Sequence, residues 1–246
     1  MKNSNIIIAA IIGVCFMLAF VFAGRYIYLS KQPSKTISVV GLSEKDFVSD
    51  LIVWHLSYDV QKMDQKDAYN DLKRKTEIVT KFLLDNGIKQ SEMVFEPVNS
   101  EKEYNYYYDK EAERSFQVFA GYRLSQKIKI ESSEIEKVEE VYRGISVLLD
   151  QDIDISSGSP SYYYTKLADL KIEMLANASE DARNRAETIA SNAGSRLGDL
   201  VVANMGVFQI TAPNSDEEDY SWGGTFNTSS KIKRASINMR LTYQLK

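Results

Sequence analysis

The stretch Lys166 to Gly198, KLADLKIEMLANASEDARNRAETIASNAGSRLG, constrains the fold more than any other part of the chain. Leu167, Leu170, Met174, Ala178, Ala182, Ala186, Ile189 and Ala193 recur at steps of three and four, which places them on one face of a single long helix. That face begins with large residues and ends almost entirely in alanine. Alanine loses no side-chain entropy in a helix and lets a neighbouring backbone come close. Glu180, Asp181, Arg183, Arg185 and Glu187 mark the wet side. Gly194 stands where a left-handed residue ends a helix, and the strand-like Leu200, Val201 and Val202 follow. The pattern is that of a core helix laid on a sheet, and it carries no chemistry of its own.

The formal charge of −4 excludes a generally basic nucleic-acid binder. The single cysteine, Cys15, lies in an apolar N-terminal run, so the folded part has no disulfide, thiol nucleophile or thiolate metal site. The single histidine, His55, leaves at most one imidazole for metal binding or a Ser-His-Asp arrangement. No catalytic residue, metal or cofactor is therefore expected.

Ile6 to Gly24 carries no charge. At about 1.5 Å per helical residue it spans roughly 28 Å, near the hydrocarbon thickness of about 30 Å. Tyr26 and Tyr28 follow, where interfacial aromatics belong. An uncleaved signal anchor over 6–28 fits this length better than a cleaved signal peptide, whose small-residue site would be Val21–Phe22–Ala23. The expected organisation is a cytoplasmic tail (1–5), the anchor (6–28), a linker containing Pro33 (29–35) and an exported domain (36–246). The alternative is a soluble periplasmic domain released near Ala23.

Thr36 to Gly41 reads as a short strand and Leu42 to Ser49 as a polar turn. Asp50 to Gln61 alternates, with Ile52, Trp54, Leu56, Tyr58 and Val60 on one face and His55 on the more polar one. Asp64 can cap a helix that carries Ala68, Leu72, Val79 and Leu83 and ends at Asn86–Gly87. Met93 to Val98 is strand-like, with Pro97 marking an edge or bulge. Glu101 to Glu113 is a tyrosine-rich loop or hairpin tip, and Phe116 to Ile130 alternates. Ser133 with Glu136 has the capping-box spacing, opening a helix with Ile135, Val138, Tyr142, Ile145 and Leu149; Asp152 to Ser156 is a brief strand. This β-α-β-β-α-β order predicts an α+β fold with a ferredoxin-like split βαβ core. The long helix follows, then a C-terminal hairpin of strands at Leu200–Thr211 and Ala235–Leu245.

ISVVG at Ile37–Gly41, LLDNGI at Leu83–Ile88, GYRLSQKIKI at Gly121–Ile130 and the alanine helix ending before Leu197–Gly198 together resemble the SIMPL-domain proteins. That family was formerly described as a bacterial domain of unknown function and includes periplasmic immunogenic proteins. LSEKDFVSD departs from the family's turn, which often has a second glycine and a Pro-Asp pair. The resemblance implies an exported envelope protein linked to stress tolerance, with members that form large oligomers, and it implies no catalytic residues.

Tyr106, Tyr107 and Tyr108 lie between the two βαβ halves, and Tyr162, Tyr163 and Tyr164 precede the long helix. The inferred topology puts the triplets at opposite ends of the sheet. Exposed tyrosines suit a glycan or protein partner, although tyrosines also pack on their own domain. The acidic run Asp216–Asp219 lacks the ligand spacing of a calcium loop and reads as a solvated loop. The functional expectation is a noncatalytic protein of the bacterial cell envelope, its periplasmic domain anchored in the inner membrane, acting through binding or self-assembly in envelope or oxidative stress tolerance. A hydrolase or other enzyme with an unrecognised site is the alternative. Self-association is expected through the terminal strand Ala235–Leu245 if it forms a sheet edge, or through the Tyr106 loop. The competing arrangement covers that edge with the Thr36–Gly41 strand.

Overall fold

The computed structural model describes residues 13, 17–25, 35–109, 113–213 and 223–246. Met17–Arg25 is helical, and no described helix is long and apolar enough to cross a membrane. Most of the anchor expected over 6–28 lies outside the described residues, as do Cys15, the linker residues up to Ser34 and the Asp216–Asp219 run. The fold is α+β. The chain forms two compact units. One gathers the start of the first strand through Leu42 with Ala178–Gly206 and Met239–Lys246; the other comprises Ser43–Asn177 and Val207–Asn238.

The larger unit is built on the alternation of β2 (Leu51–Lys62). Its even residues from Ile52 to Val60 are buried, and they share one core with Leu124, Ile128 and Ile130 of β5 (Arg114–Ser132). Helix α1 (Gln65–Asp85) adds Ala68, Leu72, Val79 and Leu83, while α2 (Ile135–Gly144) adds Ile135, Val138 and Val141. Both helices therefore cover the same face of the sheet. Asp64 caps α1 by accepting from the amides of Lys66 and Asp67 at 2.8 and 3.1 Å. Buried polar tips find partners: Trp54 donates to Ser157 at 2.9 Å and Tyr58 to Thr76 at 2.8 Å. With β3 (Met93–Phe95) and β6 (Ile155–Ser157), the strand order is β3-β5-β2-β6, and each pair is antiparallel. Two further strands extend the sheet, β4 (Asn99–Asp109) beside β5 and β7 (Ser161–Tyr163) beside β2.

The second sheet has the order β1-β10-β8, with β1 Thr36–Val48, β8 Leu197–Met205 and β10 Ile232–Leu245; β9 (Gln209–Thr211) also pairs with β10. Ala182 and Ala186 of α3 (Leu167–Asn192) pack with Val39, Leu241 and Tyr243 in one cluster. The buried row of α3 is Leu170, Met174, Ala178, Ala182, Ala186 and Ala190, a strict step of four. At about 100° per residue such a row drifts by roughly 40° each step, so it crosses the helix surface obliquely along an i±4 ridge. For this reason Ala190 takes the buried place expected of Ile189 and Ala193, both of which are exposed. Gly41 explains the alanines. A Cβ there would clash with the Ala178 carbonyl oxygen and lie 2.5 Å from the Ala182 nitrogen.

Several local expectations are corrected. Leu42 to Ser49 is not a turn: β1 continues to Val48, with Ser43 buried and Asp46 bridged to Arg234 at 2.7 Å. Pro97 interrupts the Met93–Val98 strand, leaving β3 to end at Phe95. No Ser133 capping box forms, because Glu134 is the N-cap and its amide is bonded by the Ser132 hydroxyl at 3.0 Å. After Gly144 the chain tightens into a 3₁₀ turn (Ile145–Gln151), whose step of three buries Leu148 and exposes Leu149. The Leu200–Thr211 strand is two, β8 and β9. The terminal strand is not a sheet edge, since β10 lies between β1 and β8, with β1 covering it as in the competing arrangement.

Candidate functional site

The register of β4 against β5 makes an aromatic arm. Beside β2 the pairing of β5 ends at Lys62 with Tyr122, whereas β4 and β5 continue together to Asp109 with Arg114. The departure point is Gly121, whose φ of +115° favours glycine, and a Cβ there would come within 2.5 Å of the Lys62 carbonyl oxygen. The register also shifts between Glu103 and Tyr104, a bulge that re-aims the strands. Beyond it stands a two-stranded ribbon. Directly paired residues share a face, so Tyr104, Tyr106 and Tyr108 form one row with Phe119, Gln117 and Ser115 opposite. Asn105 and Tyr107 face the other way, opposite Val118 and Phe116.

Both faces are open. Tyr106 is 72% exposed, Tyr107 49% and Tyr108 62%, with Phe116 and Val118 also exposed. At the tip Tyr107 stacks on Phe116 at 5.7 Å, while at the base Tyr104 meets Phe119 edge-on at 5.8 Å and Phe119 in turn meets Tyr122 at 5.3 Å. Phe116 and Val118 were legible only as part of an alternating strand. The signal for their exposure is the partner segment Tyr104–Tyr108, YNYYY, which breaks alternation and has no apolar face to bury.

The second triplet sits at the other end of β2, where Tyr162 pairs with Ile52 and Tyr163 with Leu51. All three of its tyrosines are half-buried. Tyr162 donates to Glu139 at 2.9 Å, and burial together with that carboxylate pushes its phenol up to about 12. Tyr163 lies against Phe226 and Tyr164 against Phe47. These contacts tie the second triplet into its own unit, and only the first presents a free aromatic surface.

His55 is exposed on the open face of the larger sheet, at the rim of a shallow hollow of about 330 Å³ that includes Ser57, Glu96 and Lys127. Among the described residues no group of three or more His, Cys, Asp or Glu side chains could hold a metal ion.

A groove of about 550 Å³ runs along β1, between Ser38–Val40 and the Asn184, Arg185, Thr188 and Ile189 flank of α3. Beyond Val40, Asp181 accepts the Leu42 amide at 2.9 Å. That bond, then the Arg185 guanidinium, holds the Asp181 carboxyl below its ordinary range.

No characterised protein gives a significant match to this sequence. The profile of SIMPL, described as a protein of unknown function (DUF541), matches residues 37–238, a span from the second residue of β1 to the middle of β10 that takes in parts of both units, and the chain belongs to that family.

Proposed function

We propose that this SIMPL protein is a noncatalytic component of the cell envelope that acts by binding other macromolecules or further copies of itself, with the Tyr104–Phe119 arm as its contact surface. The observation that carries this reading is the exposure of both arm faces. A lone two-stranded ribbon is at best marginally stable in water, and contiguous exposed apolar area marks an interaction surface. Tyrosine suits that use because it brings a rigid apolar ring and a polar tip, and interfaces are enriched in it. The envelope assignment rests on the uncharged run Ile6–Gly24, which has the length of a membrane anchor.

Photocrosslinking in intact cells tests the arm. A photoreactive phenylalanine analogue at Tyr106 is compared with one at Tyr69, which is 53% exposed on α1. Covalent adducts are expected from position 106 and not from 69, with mass spectrometry assigning them to a second copy or another envelope protein. Equal yields from both positions would remove the arm as the contact surface. Alkaline carbonate extraction tests the anchor: release of the chain into the soluble fraction would exclude it.

A further inference from the structure

We infer that the hollow at His55 is a binding site for a small zwitterion of the α-amino-acid class, whose carboxylate meets Lys127 and whose ammonium meets Glu96. The site lies within the larger unit and uses no residue of the aromatic arm.

Strand register assembles it. Ser57 of β2 pairs with Lys127 of β5 on one side and with Ser156 of β6 on the other. Directly paired residues share a face. Here it is the face away from α1 and α2, because the adjoining Leu56, Tyr58 and Ile128 are buried in the core. Glu96 extends the row: its amide donates to the Lys127 carbonyl at 3.0 Å, one step past the pair Phe95–Ile128. Neighbouring columns of a sheet lie about 4.8 Å apart, so four columns bring a carboxylate, an ammonium and two hydroxyls into one line. His55 stands in the next row opposite Gly158, whose amide donates to the His55 carbonyl at 3.1 Å. With no side chain at position 158, the sheet surface is left uncovered beside the imidazole. The resulting hollow of about 330 Å³ is at the lower end of the range for small-molecule sites, about 300–1,000 Å³.

The groups of this row lack partners. The neighbouring cations on the same face are matched: Arg123 meets Glu103 at 2.8 Å and Asp59 at 3.6 Å, and Lys129 meets Glu131 at 2.6 Å. Lys127 and Glu96 form no ion pair among the described residues, either with each other or with a third group, and the side-chain hydroxyls of Ser57 and Ser156 have no hydrogen-bond partner there. A simple anion is drawn to Lys127 and repelled by Glu96, and a simple cation meets the reverse. A ligand with both signs on neighbouring atoms answers both residues at once, each through a charge-assisted hydrogen bond. Its carboxylate has acceptor sites to spare for the serine hydroxyls.

His55 is the only histidine of the chain, so carbon-13 labelling of histidine gives one imidazole resonance, placed at the hollow itself. The full-length chain in detergent is titrated at fixed pH with alanine, propionate and ethylamine, which carry both signs, the acid alone and the ammonium alone. The expected result is a saturable shift with alanine and an affinity weaker by about tenfold or more for either one-signed probe, the loss of one charge-assisted contact. Glu96→Gln and Lys127→Gln should each weaken alanine binding by the same factor; both residues are exposed, so circular dichroism should match the parent chain. Gly158→Leu should abolish the shift. A Cβ at 158 meets only the His55 carbonyl oxygen, at 3.7 Å, so the new side chain is accommodated and fills the hollow. Lys129→Gln, beside His55 but paired with Glu131, should leave alanine affinity unchanged. A resonance that alanine does not shift saturably would overturn the proposal. So would propionate binding as tightly as alanine, or a Glu96→Gln protein that keeps the parent affinity, since either would reduce the site to an anion contact at Lys127. Crosslinking from position 106 is unaffected by these variants, so the hollow and the arm fail separately.

Discussion

Gly41→Ala adds one methyl group at the tightest place in the smaller unit, and its cost follows from the atoms it meets. The new Cβ would lie well inside van der Waals contact of the Ala178 carbonyl oxygen, 2.5 Å from the Ala182 nitrogen and 2.8 Å from its Cβ. The first two are helix backbone, so no rotamer change relieves the clash. Helix and strand must separate by roughly 1 Å, which forfeits about a quarter to a half of each affected dispersion contact. For about 30 atom pairs at about 0.15 kcal/mol, the loss is about 1–2 kcal/mol. Overpacking strain adds about 1–3 kcal/mol. Alanine recovers about 0.4–1 kcal/mol by restricting the unfolded chain. The net expectation is a loss of about 2–4 kcal/mol, or a fall in melting temperature of roughly 4–15 °C for a chain of this size. Gly144→Ala is the control, because Gly144 has φ −91° and nothing within 4 Å of an added Cβ. It should be neutral or slightly stabilising. The assay is thermal unfolding by circular dichroism, resolving each transition because the chain has two compact units. A Gly41→Ala protein melting within about 2 °C of the parent would refute the close helix–strand contact.

Ala186→Leu should lower stability by about 1–3 kcal/mol, because Ala186 is fully buried against the β1-β10-β8 sheet; Arg183→Leu, at an exposed residue bonded to Glu187 at 3.0 Å, should change little. Equal urea midpoints for the two variants would place the buried face wrongly. Glu134 receives the ammonium groups of Lys137 and Lys89, which hold its carboxyl at about 2. A carboxyl with a depressed folded pKa contributes stability above its unfolded value of 4.5 and loses it as pH falls through about 2. The gap in urea midpoint between the parent and Glu134→Gln should therefore close across that window, and a gap independent of pH would remove the ion pairs as its cause.

Local signals located most elements but not their neighbours. The alternation of Ile52 to Val60 and the spacing of Ala68, Leu72, Val79 and Leu83 decide burial within a segment, and these residues do form the core. Asp64 caps its helix through atoms two and three residues away, which a sequence pattern can express. The errors arose where the deciding partner is remote. Leu42–Val48 looks like a turn because its residues are polar, yet Asp46 is held in a strand by Arg234. β10 looks like an edge because it ends the chain, yet its edges are covered by β1 and β8. The arm was legible as an accumulation of tyrosine between two strands. That both its faces are open depends on β2 stopping at Lys62 while β4 and β5 continue.

Gly41 and the alanine row show why a motif can be visible before its reason is. The glycine is not required by its own backbone, since it is not among the glycines with positive φ. Neither is the alanine row required by helix propensity, because leucine forms helices nearly as well. Each makes sense only through the other: Gly41 removes the side chain that would strike the helix backbone, and the small residues of α3 let that backbone come down onto β1. Such closeness brings the α3 flank beside Ser38–Val40 and creates the groove. A leucine at position 182 or 186 would raise the helix and open the distance between Ile189 and Ser38–Val40. The small residues that lock the core of this unit therefore also set the width of the groove, so a variant that thickens the core should widen it even where the folded unit survives.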